Sequence, residues 1–445
     1  MSLLVRLMTQ ILVVDDEASI RRSLENIFKD EGFDVLSAAD GESAIKIVRE
    51  LAPAVVLLDI WMPGRDGMET LKEIKALAPQ TAVIMISGHA TIATAISATR
   101  LGAADFIEKP LDLNVTLEAV RRVLTPAPVA AQLDVVLDPS PQNRAELGID
   151  SSPVERITPI VFGQQTHRGR KVQQRTLAQS AILYGQGLHS GKKSGLILEP
   201  LPPNSGIHFV GIADSTPVPA HVDYVGSTGF ATTVSLGATR AGTIEHLMSA
   251  LHAYRVSNLL IKCNGEVPVM DGSARQFCAL IEEIGLDVQQ GDWFEIEVSK
   301  KLRVGKDREW IEIEAADDFV IDYTLDYPAP LGRQHMVFRL NDVEAYKSAI
   351  APSRTFGFVK DIGALQKQGL ALGGRFDNFV LFGDQGAING ELRFKDEPVR
   401  HKILDAIGDL YLLGRPLRGK VTAHMTGHSD NIALLKLLRE ELRGG

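Results

Sequence analysis

The chain has 445 residues, too many for a single hydrophobic core, so two or three domains are expected. Hydrophobic residues at 45% and charged residues at 23% describe an ordinary globular protein, and a net charge of −9 argues against nucleic acid as the main partner. Only Cys263 and Cys278 are present, without C-x-x-C spacing, which excludes a thiolate metal cluster and fits a reducing cytoplasm. The opening MSLLVRLMTQILVV has a signal-like apolar run, but Asp15 and Asp16 cut it short and no small-residue cleavage site follows. It reads as a buried strand, and Met8 serves equally well as a start. No run approaches the ~18 apolar residues of a membrane span.

The first domain is expected over residues 1–125. Apolar runs at Ile11–Val14, Phe33–Leu36, Val55–Leu58, Ala82–Ile86 and Phe106–Ile107 predict strands. Between them, helical spacing covers Ile20–Phe28, 42–51, 67–77 and 92–101, with a last helix through Leu117–Leu124. Such alternation predicts a five-stranded parallel sheet with helices on both faces, where a site forms at the carboxyl ends of the strands. Asp15, Asp16, Asp59, Ser87 and Lys109 all fall at those ends. Three crowded carboxylates repel unless a hard cation such as Mg²⁺ joins them, while a lysine and a hydroxyl suit phosphoryl oxygens. Asp59 is then the carboxylate that takes up phosphate.

The segments VVDDE, LLDIWMPGRDG, ISGHA and ADFIEKP resemble a response-regulator receiver domain across residues 8–125. The likeness implies a flavodoxin-like α/β fold with Mg²⁺ held by Asp15, Asp16 and Asp59. It also implies phosphorylation of Asp59 by a histidine kinase, phosphate contacts from Ser87 and Lys109, an aromatic switch at Phe106, and dimerisation through the receiver as one arrangement. GHATIATAISATRLGAADFIEKPL is similar to receivers of nitrogen-regulation-type activators, yet neither a G-x-x-x-x-G-K-[ST] loop nor a basic helix pair follows.

Residues 126–170 are rich in Pro, Ser, Gln and charge without sustained period, and read as a flexible tether. Beyond it, two halves are expected, 171–290 and 291–445, each with a sheet and helices. Gln174–Gly187 reads as a strand entering a glycine turn, Ser194–Leu198 as the next strand, and short strands continue to about 235. In Thr243–Leu251, Thr243 is the expected N-cap, with Glu245 and His246 in the first turn over a Leu247, Met248, Leu251 stripe. His252 lies off that face and reads as structural. A strand at Asn258–Cys263 and a helix through Gln276–Ile284 complete this half.

In the second half, strands are expected at 294–304, 308–314 and 319–325, and a helix near 342–350. A strand–helix–strand insertion at 355–382, a helix at 400–413 and a final helix at 430–442 follow. On the 400–413 helix, His401 and Asp405 share a face at i and i+4, and Asp409 continues the row. An imidazole and a carboxylate so placed either hold a divalent metal or form a plain ion pair. His428 sits in a glycine turn before the last helix, where it either faces a cleft or caps that helix.

GLHSGKK, TIEHLMSAL, VPVMDGSA, PSRTFGF, LGGRFDN, VRHKILDAIGDLYLLG and GHSDN together resemble the UDP-3-O-acyl-N-acetylglucosamine deacetylase family, zinc amidases of lipid A synthesis, over residues 172–442. The resemblance implies an α+β fold and Zn²⁺ held by His246, His401 and Asp405. It further implies Glu245 as general base, Thr355 and a cationic His428 as oxyanion stabilisers, and Asp409 as the carboxylate holding that charge. Lys402 would contact substrate, and Phe356, Ile362 and Phe376 would line the acyl passage. The expected protein is thus a cytoplasmic deacetylase, acting on the acylated nucleotide sugar, behind a receiver. The competing expectation is a signalling protein whose second module only binds.

Overall fold

The computed structural model describes residues 9–87, 98, 101–109, 111, 113–124, 136–137, 168–212, 216–375 and 378–444. The chain divides into two compact units, Met1–Gln132 and Leu133–Gly445.

The first unit runs β1 (Gln10–Val14), α1 (Ala18–Asp30), β2 (Asp34–Ala38), α2 (Gly41–Leu51), β3 (Val55–Asp59), α3 (Gly67–Leu77), β4 (Ala82–Ser87), β5 (Asp105–Glu108) and α4 (Leu113–Leu124). Its sheet is wholly parallel in the order β2-β1-β3-β4-β5. Ile11–Val14 and Val55–Leu58 are completely buried because helices cover both faces, which is why these strands read as unbroken apolar runs. Asp40 and Asp66 start α2 and α3 by accepting from the backbone N–H of Ser43 and Glu69, each three residues on. The helix expected at 92–101 lies largely outside the described residues.

The second unit begins with β6 (Val136–Leu137), β7 (Arg168–Leu177), β8 (Ala181–Gln186), β9 (Lys193–Pro200), β10 (Ile207–Val210), β11 (Val218–Pro219), β12 (Val225–Ser227), β13 (Thr233–Leu236) and β14 (Thr239–Ala241). Helix α5 (Glu245–Ala253), β15 (Leu259–Cys263), α6 (Arg275–Ile284), β16 (Leu286–Glu297), β17 (Leu302–Lys306), β18 (Glu309–Glu314), β19 (Phe319–Asp326), β20 (Arg333–Arg339) and α7 (Val343–Ala349) follow. The chain ends with β21 (Phe356–Phe358), α8 (Val359–Lys367), β22 (Val380–Gly383), β23 (Gly386–Ala387), α9 (Glu397–Leu410), β24 (Leu417–His424) and α10 (His428–Gly444).

One six-stranded sheet is ordered β11-β10-β15-β9-β8-β6, and a larger sheet runs β17-β18-β24-β16-β7 with β19 on β24 and β20 on β19. The halves are not segregated by strand: β7, from the first, pairs along β16 and so joins the larger sheet. Val136–Leu137, within the stretch expected to be a tether, pairs antiparallel with Ala181–Ile182 on the edge of the smaller sheet. Gln174–Gly187 is two strands rather than one, and the stretch expected as 294–304 is broken between β16 and β17.

A continuous core joins both sheets and five helices, including Leu247 and Leu251 of α5, Phe277 of α6, Tyr346 of α7, Ile403 and Ile407 of α9, and Leu434 of α10. Fully burying one such side chain is worth about 1.5–3 kcal/mol. Helices α5 and α9 meet through backbone at Gly408, where a Cβ would lie 2.0 Å from the Glu245 carbonyl oxygen. Glycine therefore sets how closely the two helices approach. Thr243 does not cap α5, contrary to the expectation from its position. Its φ of +54° swings the hydroxyl away to donate to Glu266 Oε1 at 3.0 Å, and Ile244 occupies the N-cap without a side-chain bond.

Candidate metal centre and phosphoacceptor site

Glu397, His401, Asp405 and Asp409 follow one another at four-residue intervals on α9, so all four project from one face, and all are buried. Helix α5 crosses that face and brings in Glu245 and His246 from its first turn. His401 Nε2 lies 3.2 Å and His246 Nε2 3.7 Å from Asp405 Oδ1, and the two rings are edge-to-face at 5.0 Å. One ligand atom from each residue falls within 4.8 Å of the others. Asp405 Oδ1 is buried without a hydrogen-bond partner, a costly state that a cation between the three side chains would relieve.

Protonation states suit ligation. Burial, with the neighbouring His401, depresses His246 to about 3, and burial likewise lowers His401, so both imidazoles are neutral. Burial alone would raise Asp405, but His401 and Lys402 hold it well below the carboxylate range. Lys402 Nζ is 3.3 Å from Asp405 Oδ2, and its pKa is raised because that anion outweighs burial. His401 Nδ1 donates to the Ser353 carbonyl at 3.0 Å, which leaves Nε2 unprotonated toward the cluster. Neutral imidazoles and a carboxylate are the donor set zinc accepts, and a three-residue set leaves a fourth position open.

Two further ionisable groups flank the cluster. Glu245 accepts from the Thr232 backbone N–H at 3.1 Å, and its other oxygen lies 3.8 Å from His428 Nε2. Burial pushes Glu245 up to about 8, against the pull of His428. His428 opens α10, and its Nδ1 donates to Asp409 Oδ2 at 2.8 Å. Burial would lower this imidazole, but Asp409 and Glu245 override it and raise it to about 9, so it is cationic at neutral pH. Asp409, fully buried, also accepts from Thr232 Oγ1 at 2.5 Å and Asn431 Nδ2 at 2.9 Å.

Thr355 is tied to this wall through Ser353, two residues earlier, and its backbone N–H donates to the Gly272 carbonyl at 2.7 Å. Phe356 stands edge-on to His401 at 6.3 Å and continues into an aromatic group with Tyr327, Phe358 and Phe382. Ile362 is buried in α8, whereas Phe376 lies outside the described residues. Sequence reasoning missed Thr232, Ser353, Glu397 and Tyr327. Only Glu397 carried a signal, since it stands four residues before His401.

In the first unit, Asp15 and Asp59 are buried, Asp16 is exposed, and one oxygen from each lies within 4.8 Å of the others. Lys109 Nζ bridges Asp59 Oδ2 at 2.7 Å and Asp15 Oδ2 at 2.8 Å. Burial raises Asp59 despite this lysine. Ser87 is buried at the end of β4, beside β3, which ends at Asp59.

Comparison with known proteins follows the same division. Residues 174–440, more than half the chain, match the family described as UDP-3-O-acyl N-acetylglycosamine deacetylase. The chain belongs to that deacetylase family. The UDP-3-O-acyl-N-acetylglucosamine deacetylase of Chlamydia pneumoniae is 41% identical over 276 residues, covering 60% of this chain and 98% of the relative. The protein of that name from Anaeromyxobacter sp. is 41% identical over 266 residues, covering 59% of this chain and 87% of the relative. Ahead of the deacetylase region, residues 11–121 match the response regulator receiver domain. The solved receiver domain of NtrX from Brucella abortus is 45% identical, covering 26% of this chain and 99% of that one, with a TM-score of 0.26. Both expected modules, a receiver and a deacetylase, are therefore present in one chain.

Proposed function

We propose that this protein hydrolyses the acetamide of UDP-3-O-acyl-N-acetylglucosamine, releasing acetate and a free sugar amine for lipid A synthesis, with zinc held by His246, His401 and Asp405. The observation that carries this reading is the convergence of those three buried side chains, from two helices, around an oxygen without a partner. Zinc, when bound, supplies a Lewis acid for the amide carbonyl and lowers the pKa of water toward ~7. Glu245, next in sequence to a ligand, takes the proton of the attacking water. The water oxygen bonds to the carbonyl carbon, and negative charge grows on the carbonyl oxygen. Cationic His428 faces that charge, and Thr355 adds a hydroxyl donor. The C–N bond then breaks as His428 Nε2 delivers a proton to the leaving amine. Asp409 keeps that proton available by holding Nδ1. Lys402 contacts polar groups of the substrate, and Phe356 and Ile362 offer apolar surface to its acyl chain, as would Phe376.

We assign the first unit a Mg²⁺ held by Asp15, Asp16 and Asp59, phosphorylation of Asp59 by a histidine kinase, and phosphate contacts from Ser87 and Lys109. Phosphorylation regulates the deacetylase in this reading. Support comes from Val136–Leu137, which lie between the receiver and the deacetylase region and add to β8 on the edge of the smaller sheet. A cytoplasmic location fits a nucleotide-sugar substrate and a kinase partner, and among the described residues no helix is long and apolar enough to cross a membrane.

Acetate release from the acylated nucleotide sugar, measured with and without chelator, tests the enzyme. Chelator-insensitive turnover refutes the metal assignment, and no turnover by zinc-loaded protein refutes the activity. Regulation is tested by comparing Asp59→Ala with protein treated with a small acyl phosphate; identical turnover ends that reading.

A further inference from the structure

Three consecutive residues, Ser353, Arg354 and Thr355, each anchor to a different part of the site's wall. The Ser353 carbonyl receives His401 Nδ1 at 3.0 Å. Thr355 is held by backbone bonds on both sides, to the Gly272 carbonyl at 2.7 Å and from the Val380 N–H at 2.7 Å. Between them, Arg354 enters the protein and meets Glu397, which is completely buried one turn before His401 on α9.

The Glu397 carboxylate is saturated. Oε1 accepts from the Arg354 backbone N–H at 3.0 Å and from Nε at 2.9 Å, and Oε2 accepts from Arg354 Nη2 at 3.1 Å and from the Arg393 backbone N–H at 2.7 Å. The guanidinium also donates to the Glu391 carbonyl at 2.8 Å. Main chain and side chain of Arg354 are therefore both gripped by one carboxylate on the helix that carries two proposed ligands and Asp409.

A buried ion pair is poor evidence for stability, since apolar residues of similar volume often serve as well. A planar fork on a carboxylate instead fixes direction, which a point contact does not. We propose that Glu397 and Arg354 are positioning residues that fix residues 353–355 against α9, so that one clamp sets both the His401 tautomer and the place of the Thr355 hydroxyl. This assignment rests on the zinc deacetylase reading above. Both side chains are buried. Their effect passes through the Ser353 carbonyl to a ligand and through the peptide link to Thr355.

The test uses the full chain loaded with one zinc. Zinc release to a chelator is timed without substrate, the absorption spectrum is recorded after cobalt substitution, and kcat and KM are measured separately. Glu397→Gln places an amide donor against the Arg393 N–H or the guanidinium. Zinc release at least tenfold faster is expected, within the range of about 10–100-fold for lost outer partners of a metal site. A shifted cobalt spectrum, a kcat lowered at least tenfold and a KM within twofold are expected with it. The double variant Arg354→Met/Glu397→Met removes the pair without stranding a charge. It should melt like the unaltered chain yet keep the fast zinc release and low kcat. Zinc release and kcat within twofold of the unaltered chain, in either variant, overturn the proposal, and so does failure of both variants to fold. If the unaltered chain takes up no tight zinc, the metal reading fails and the clamp with it. Tight zinc that neither variant disturbs defeats the clamp alone.

Discussion

Replacing Asp409 with Asn removes the carboxylate that does most to hold His428 charged, and leaves Glu245 as the other. His428 is raised from 6.5 to about 9 although burial acts in the opposite direction. That rise corresponds to about 3 kcal/mol in favour of the cation. At pH 7.5 the imidazole is thus cationic by about thirty to one. Asparagine removes the charge and cannot accept from all three of His428, Thr232 and Asn431, so burial is opposed mainly by Glu245 and His428 falls back toward its ordinary value. With the imidazole back near its ordinary value, the cationic fraction at pH 7.5 is about one in ten, a tenfold loss from population alone. Loss of the oriented donor adds to this, and kcat should fall about 10²–10³-fold with little change in KM. The sign is fixed by the shift. Activity that needs the cation persists up to pH ~9 in the unaltered chain and declines above it, whereas in the variant the decline begins in the ordinary histidine range. Acetate release between pH 5.5 and 10, on protein shown to carry one zinc and to melt normally, measures both effects. A variant that keeps its alkaline limb near 9 and loses less than threefold in kcat would show that Asp409 does not govern His428.

Gly408→Ala places a methyl group where the Glu245 carbonyl stands, and helices α5 and α9 must separate. A loss of about 1–3 kcal/mol in unfolding free energy is expected, with weaker zinc retention because His246 moves away from Asp405; unchanged melting and zinc content would refute it. His252, stacked on Tyr411 and bonded to the Ile407 carbonyl, is depressed by burial from 6.5 to about 4. Its contribution to stability is complete above pH 6.5 and is lost as pH falls toward 4, by about 3 kcal/mol. Urea unfolding at pH 7 and pH 4.5 should show this slope and His252→Phe should reduce it, leaving the slope from the other histidines that burial lowers, His189, His208, His246 and His401. Lys109→Met leaves Asp15 and Asp59 buried without their shared cation. The first unit should lose about 3–5 kcal/mol of stability without added metal, and Mg²⁺ should restore more to this variant than to the unaltered chain. Equal response to Mg²⁺ in calorimetry speaks against a cation site there.

The strands of the first unit were legible to within a residue or two at each end, because strands buried on both faces leave unbroken apolar runs, whereas its last helix starts a turn earlier than expected. The second unit was less legible. Strand β20 (RQHMVFR) buries only Phe338, so its pattern is that of an exposed edge. Strand β24 (LRGKVTAH) alternates regularly, but two of its four inward residues are the small Gly419 and Ala423, and it pairs with β16, β18 and β19 at the centre of the larger sheet. The row His401, Asp405, Asp409 was visible because helical spacing is a local property. Thr232 and Ser353 were not, because each reaches the site from a loop through contacts that sequence spacing does not encode. Thr243 misled because its residue type suits a cap, while the turn it occupies has the opposite backbone hand.

The proposed ligands come from helices far apart in the sequence, and those helices touch at a glycine. Neither segment alone carries all three proposed ligands, so an ion cannot find its full set on either one during folding. It can seat only after the long-range interface has closed, which makes metal uptake a late report that assembly is complete. Chains lacking zinc should accordingly fold at the same speed as chains that hold it, and differ only in how readily they come apart.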